Sequence, residues 1–261
     1  MPRRYAVAGW GDGTATGEPA TMTTTDTSTN DQARQRHAAG QGAASDRAGV
    51  VGRPPAGNRV SPLGHIVAAP GCGAWMGNRG VLHTSTGTRQ TVRSHRGTAW
   101  ITCALDFRGR RVPQWQSGRY TPLFFLDEAV SLAAGHRPCA ECRRSDFNEF
   151  RSAWAQFTGE AVPPRAPQLD AALHGQRLPI GADDRPRFRS SWSDLPDGAF
   201  VVIEQGPAVV VHDQLTPWRP DNTYGTPVGR PRRGTASVIT PPASLGALRA
   251  GYPVQIADSE R

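Results

Sequence analysis

The chain of 261 residues carries thirty arginines and no lysine against 22 acidic residues, for a formal charge of +8, and 37% of it is hydrophobic. That length admits one large domain or two small ones, and the low apolar fraction implies that part of the chain does not pack. The absence of an eighteen-residue apolar run excludes a membrane-spanning helix, and "MPRRYAVAGWGDGTATG" lacks the apolar segment of a secretory signal, so no membrane and a cytoplasmic location are expected. The positive balance favours polyanions such as nucleic acid. Abundant Ala, Gly, Pro and Arg without Lys is also what GC-biased coding produces.

Residues 1–55 include "TATGEPATMTTTDTSTNDQ", which has no apolar periodicity and cannot bury enough surface to offset its ordering entropy. This tail is expected to be disordered, with Met22 an alternative start. Order is expected from "NRVSPLGHIVAAP" onward, with short strands at "GHIVAA", "GVLHT" and "TAWITCALDFRG". In the last of these, Ile101, Cys103, Leu105 and Phe107 alternate with Trp100, Thr102, Ala104 and Asp106. The first set reads as the apolar face, pointing Cys103 into a core. "YTPLFFL" is another apolar run. "LDEAVSLAAGHRP" reads as a short helix with Asp127 as N-cap, Gly135 as stop and Pro138 beyond it.

A second helix, "SDFNEFRSAWAQF", is expected with Ser145 as cap and a packed stripe of Phe147, Phe150, Trp154 and Phe157. A third, "PQLDAALHGQRL", puts Asp170, His174 and Arg177 on one polar face. From Gly198 the chain turns β-like: "GAFVVIEQGPAVVVHDQLTPW" reads as two strands around a Gly-Pro turn. "GTASVITPPASLGALRAGYPVQI" reads as a strand, a brief helix and a last strand. The fold class expected is α+β, with a mostly β C-terminal part.

Cys139 and Cys142 form a C-x-x-C, with Cys103 and Cys72 elsewhere. Zinc takes four thiolate or imidazole ligands in a tetrahedron, and a C-x-x-C turn supplies two. The flanking Arg137, Arg143 and Arg144 would favour thiolates. Cys103 is the expected third ligand. For the fourth, His83 competes with Cys72, His95 and His136. A thioredoxin-like redox pair is the rival reading, but such a pair opens a helix directly after a strand, whereas Cys139 follows a helix, a Gly stop and a Pro. Buried thiols with no ligand are the third reading.

"FFLDEAVSLAAGHRPCAECRR" resembles the second half of the amino-terminal zinc domain of the Ada DNA-repair proteins: a strand, a short helix ending in Ala-Ala-Gly, then Arg-Pro-Cys-x-x-Cys. The likeness covers about twenty residues. It implies two further ligands upstream; "GNRGVLH" resembles the start of that upstream half in relatives that use a His, which favours His83, with Cys103 as its companion. The Ada C-x-x-x-C is absent here and the gap from Cys103 to Cys139 is longer, so the zinc scaffold carries over and methyl transfer does not. The whole chain also resembles a group of actinobacterial-type proteins for which no activity is implied. Three parts follow: the tail at 1–55, an Ada-like zinc-binding domain at 56–158, and an α+β C-terminal domain at 159–261.

Three functions fit these residues. Arg108, Arg110 and Arg111 in "FRGRR", with Arg143 and Arg144 beside the metal, are candidate contacts for nucleic-acid phosphate, because the guanidinium fork donates two hydrogen bonds at once. A hydrolase or nuclease using Asp170, His174 as base and Arg177 as anion clamp is the second. A metal-stabilised partner-binding protein without chemistry is the third.

Overall fold

Short strands divided by glycine- and proline-rich turns build two sheets, with the helices between and after them. The computed structural model describes residues 54–84, 89–110, 114–177 and 186–258. The expected tail lies outside them except for its last two positions, and Arg111 lies outside them as well.

The first sheet contains β1 (Gly57–Val60), β2 (Ile66–Ala68), β3 (Trp75–Asn78), β4 (Ile101–Cys103), β5 (Leu123–Phe125) and β6 (Arg137–Pro138), in the order β2-β1-β5-β3-β4-β6. Two of its pairings are parallel, β1 with β5 and β4 with β6. Helix α1 (Glu128–Ala133) connects β5 to β6, and α2 (Arg144–Thr158) and α3 (Ala166–Arg177) follow. The second sheet contains β7 (Phe188–Ser191), β8 (Phe200–Ile203), β9 (Gly206–Val211), β10 (Gln214–Arg219), β11 (Thr223–Tyr224), β12 (Val228–Gly229) and β13 (Thr235–Val238). Its order is β11-β10-β9-β8-β13-β7, with β12 also on β10. Helix α4 (Pro242–Arg249) comes last. The fold is α+β with a mostly β C-terminal part.

Helix α1 forms where its caps place it. The Asp127 carboxylate accepts from the Val130 N–H at 2.8 Å, and Gly135, at φ 85°, takes the left-handed turn that ends the helix. The Gly135 N–H donates to Leu132 O and the His136 N–H to Ser131 O, both at 3.0 Å. Helix α4 ends in the same way: the Gly251 N–H donates to Leu248 O and the Tyr252 N–H to Ala247 O. Each turn swings the ring after its glycine inward, so His136 and Tyr252 are buried.

Both faces of the second sheet are covered. Phe200 and Val209 enter one core with Val60, Leu82, Leu123, Phe125 and Val130, while Val201, Ala208 and Val210 enter another beneath Leu245 of α4. The expected boundary at 158/159 falls between α2 and α3, and side chains from both sides of it share a core.

Several expectations are corrected. Among the described residues "GVLHT" and "YPVQI" form no strand. The strand around Cys103 ends at that residue, Leu105 beyond it is 48% exposed, and Trp100 and Thr102 are fully buried, so the expected apolar face does not hold. Strand β4 lies between β3 and β6, covered on both faces. Helix α2 starts at Arg144 with no side-chain cap, and Ser145 bonds Glu149 instead. The aromatic stripe is buried at Phe147, Phe150 and Trp154, whereas Phe157 is 45% exposed and lies over Gly246 of α4.

Candidate metal centre

The parallel pairing of β4 with β6 sets Thr102 opposite Pro138, and the Cys139 N–H donates to Thr102 O at 2.9 Å. That register brings the end of β4, Cys103, beside the start of the C-x-x-C turn. The turn closes on itself through an Arg143 N–H to Cys139 O bond at 3.1 Å. The three sulfurs of Cys103, Cys139 and Cys142 all lie within 4.8 Å of one another.

The donor chemistry fits a soft divalent ion. Tetrahedral coordination at a metal–sulfur length of about 2.3 Å puts sulfurs about 3.8 Å apart, a spacing this cluster admits. The Glu141 N–H points at Cys139 Sγ at 3.4 Å. Hydrogen bonds from Cys103 and Cys142, with backbone N–H donors at Cys142 and Glu141, lower the Cys139 thiol well below its ordinary value, against burial. Cys103 is pushed the other way, first by its bonds to Cys139 and Cys142 and then by burial.

Both arms of the turn are clamped. Arg137 donates from Nε and Nη2 to the two Asp170 oxygens at 2.8 and 2.9 Å, tying β6 to α3. Arg143 meets Glu128 of α1 at 2.5 Å and Asp146 at 2.7 Å, and lies 4.0 Å over the Trp75 ring. Glu128 also accepts from the Tyr252 hydroxyl at 2.6 Å and the Gln255 N–H at 3.1 Å. A half-buried neighbour, Tyr120, feels all three sulfurs: burial raises its phenol, and charge at Cys103 and Cys142 raises it further.

His83 does not join the cluster. Its Nδ1 is bonded to Thr121 Oγ1 at 2.6 Å and its Nε2 to Gln116 O at 3.1 Å, against the edge of Trp115. The competitors lie apart as well: Cys72 is exposed, His136 Nε2 accepts from Arg79 at 3.1 Å, and His95 packs on Trp100 and His174. Arg143 is a buried structural cation, which corrects its expected role on nucleic acid. Arg108, Arg110 and Arg144 are exposed, and Arg110 reaches Glu141, inside the C-x-x-C turn, at 3.3 Å.

The expected catalytic set on α3 is likewise corrected. Asp170 is held by Arg137. Arg177 is fully buried, donating to Gly135 O at 2.8 Å and Thr98 O at 2.5 Å and stacking on Trp100. Neither is placed to serve a reacting group with His174. Tyr120 escaped the sequence reading, since "SGRYTP" carries no spacing that ties it to a cysteine. Comparison with protein-family models, curated proteins and solved structures finds no match for this chain.

Proposed function

We propose that the chain is a zinc-binding protein whose metal is structural, with exposed arginines beside it that contact nucleic-acid phosphate. The observation that carries the metal is the convergence of three sulfurs within 4.8 Å on two clamped segments. The fourth position is left to water. Three thiolates donate so much charge that the ion is a weak Lewis acid, which favours a structural role over hydrolysis. Bound there, zinc would join the end of β4 to the start of α2.

Purified protein is expected to hold about one zinc per chain. Cobalt substitution should give an absorption signature of three sulfur ligands, and Cys139→Ser should remove both metal and signature. Metal-free wild-type protein that refuses zinc and cobalt under reducing conditions overturns the site.

The nucleic-acid reading is supported by the exposure of Arg108, Arg110 and Arg144 around this turn, by the net charge, and by the likeness to a DNA-repair zinc module. Binding is expected to be weak, with little sequence preference, and to fall steeply between low and physiological salt, since phosphate contacts release counterions. Arg110→Glu with Arg144→Glu should abolish it and leave zinc content unchanged. No retention of DNA or RNA at low salt would leave a metal-stabilised partner-binding protein as the reading.

A further inference from the structure

Two histidines outside the metal centre form a pair. His95, in the loop before β4, and His174 of α3 meet edge to face with ring centroids 5.7 Å apart. Both rings are partly exposed. Behind them lies Trp100, with the Arg79 guanidinium 3.9 Å and the Arg177 guanidinium 4.1 Å from its ring centroid. Arg177 Nη2 lies 3.3 Å from His174 Nδ1. A guanidinium only donates, so that nitrogen is the acceptor and the His174 proton sits on Nε2. His95 Nδ1 is engaged by Ser94 Oγ at 3.0 Å.

This arrangement selects the sign of its ligand. A metal ligated through Nε2 would need the His174 proton on the nitrogen that faces Arg177, and the ion would sit beside two guanidinium charges. An anion meets an N–H donor and positive potential together. The loop carrying His95 adds Arg93 and Arg96, both exposed. We propose that His95 and His174, backed by Arg177 and Arg79, form a binding site for a tetrahedral oxyanion of the phosphate class. This goes beyond the zinc reading and does not depend on it.

Binding is linked to protons. Burial, then the charges of Arg79 and Arg177, lower His95; burial, then Arg177 and His95, lower His174. Both imidazoles of the free site are therefore largely neutral at pH 7, while the two guanidinium groups behind them keep their charge. A bound oxyanion opposes those cations and raises both rings, so affinity increases as pH falls from neutrality toward the lowered free-state values. Each proton taken up gives at most about tenfold per pH unit.

The test follows the imidazole C–H resonances of the full chain while inorganic phosphate is added, with sulfate as a second probe because its charge is constant across the range. Saturable shifts confined to His95 and His174 among the seven histidines, tighter for sulfate at pH 6 than at pH 7.5, are the expected result. His95→Gln and His174→Gln should each weaken binding severalfold; both residues sit at the rim, and an unchanged melt shows that the fold persists. Titration with a short DNA strand separates the sources: saturation of the same two resonances assigns backbone phosphate as a ligand, and no response assigns free phosphate or a small phosphoester. Absent or non-saturating shifts with both inorganic ions, equal shifts at all histidines, or undiminished binding in the Gln variants would overturn the site.

Discussion

Arg137 and Arg143 bracket the C-A-E-C turn, and both side chains point inward rather than to solvent. Each neutralises a buried carboxylate, so each is more costly to remove alone than with its partner. Arg137→Met should destabilise the chain by about 3–5 kcal/mol, because it strands the Asp170 charge. Adding Asp170→Leu should recover most of that loss, since a well-packed apolar pair replaces a buried ion pair at little cost. Urea denaturation of the two single variants and the double reads this directly. Asp127 permits a pH prediction. Burial pushes its carboxyl up to about 6 from 3.8, against the pull of Val130 N–H, Ala257 N–H and the Tyr224 hydroxyl. Between those values the folded chain keeps a proton that the unfolded chain has released. This contribution is fully present below about pH 4, is lost as pH rises through about 6, and is flat above. Its size is about 1.4 kcal/mol per unit of difference, and Asp127→Asn should flatten that part of the stability–pH curve.

At the scale of elements, two glycines make close packing possible with different slack. A methyl on Gly77 of β3 would stand 2.4 Å from the ring of Phe125, which is fully buried. A methyl on Gly246 of α4 would stand 2.2 Å from the ring of Phe157, which is 45% exposed. Only the second ring can swing away. Gly77→Ala should therefore cost about 1–3 kcal/mol as an overpacked core. Gly246→Ala should be near neutral, since moving Phe157 is offset by a helix-propensity gain of about 1 kcal/mol; thermal melts of both rank them. The same contrast between local and distant constraint explains what could be read from sequence. Helix α1 was legible because Asp127 and Gly135 are cap signals that act within a few residues. The cysteine trio was legible because the C-x-x-C is local and Cys103 lies in an apolar run. The face of β4 was not, because a strand covered on both sides has no solvent face for alternation to report. His83 and Arg143 were misread because their type suits a ligand and a phosphate contact; only tertiary structure shows that Thr121 and Gln116 occupy the one and Glu128 the other.

Across the whole molecule, the pairing of β4 with β6 joins Ile101 to Arg137, and that of β1 with β5 joins Arg59 to Phe124. Contacts so far apart in the chain form late, because loop closure precedes any stabilisation they provide. Cys139 and Cys142, by contrast, are neighbours in the chain from the first moment. During refolding the two therefore meet long before Cys103 arrives to complete a metal site. In air, dissolved oxygen can accept the two electrons and two protons that leave these thiols, and a Cys139–Cys142 disulfide then forecloses the three-sulfur cluster. Refolding with reductant and zinc should yield one metal-loaded product. Refolding in air without metal should yield a chain 2 Da lighter by loss of two hydrogens, with Cys103 open to alkylation and both turn cysteines protected, as peptide mapping would show. The order in which the thiols meet, rather than the strength of the finished site, decides which product accumulates.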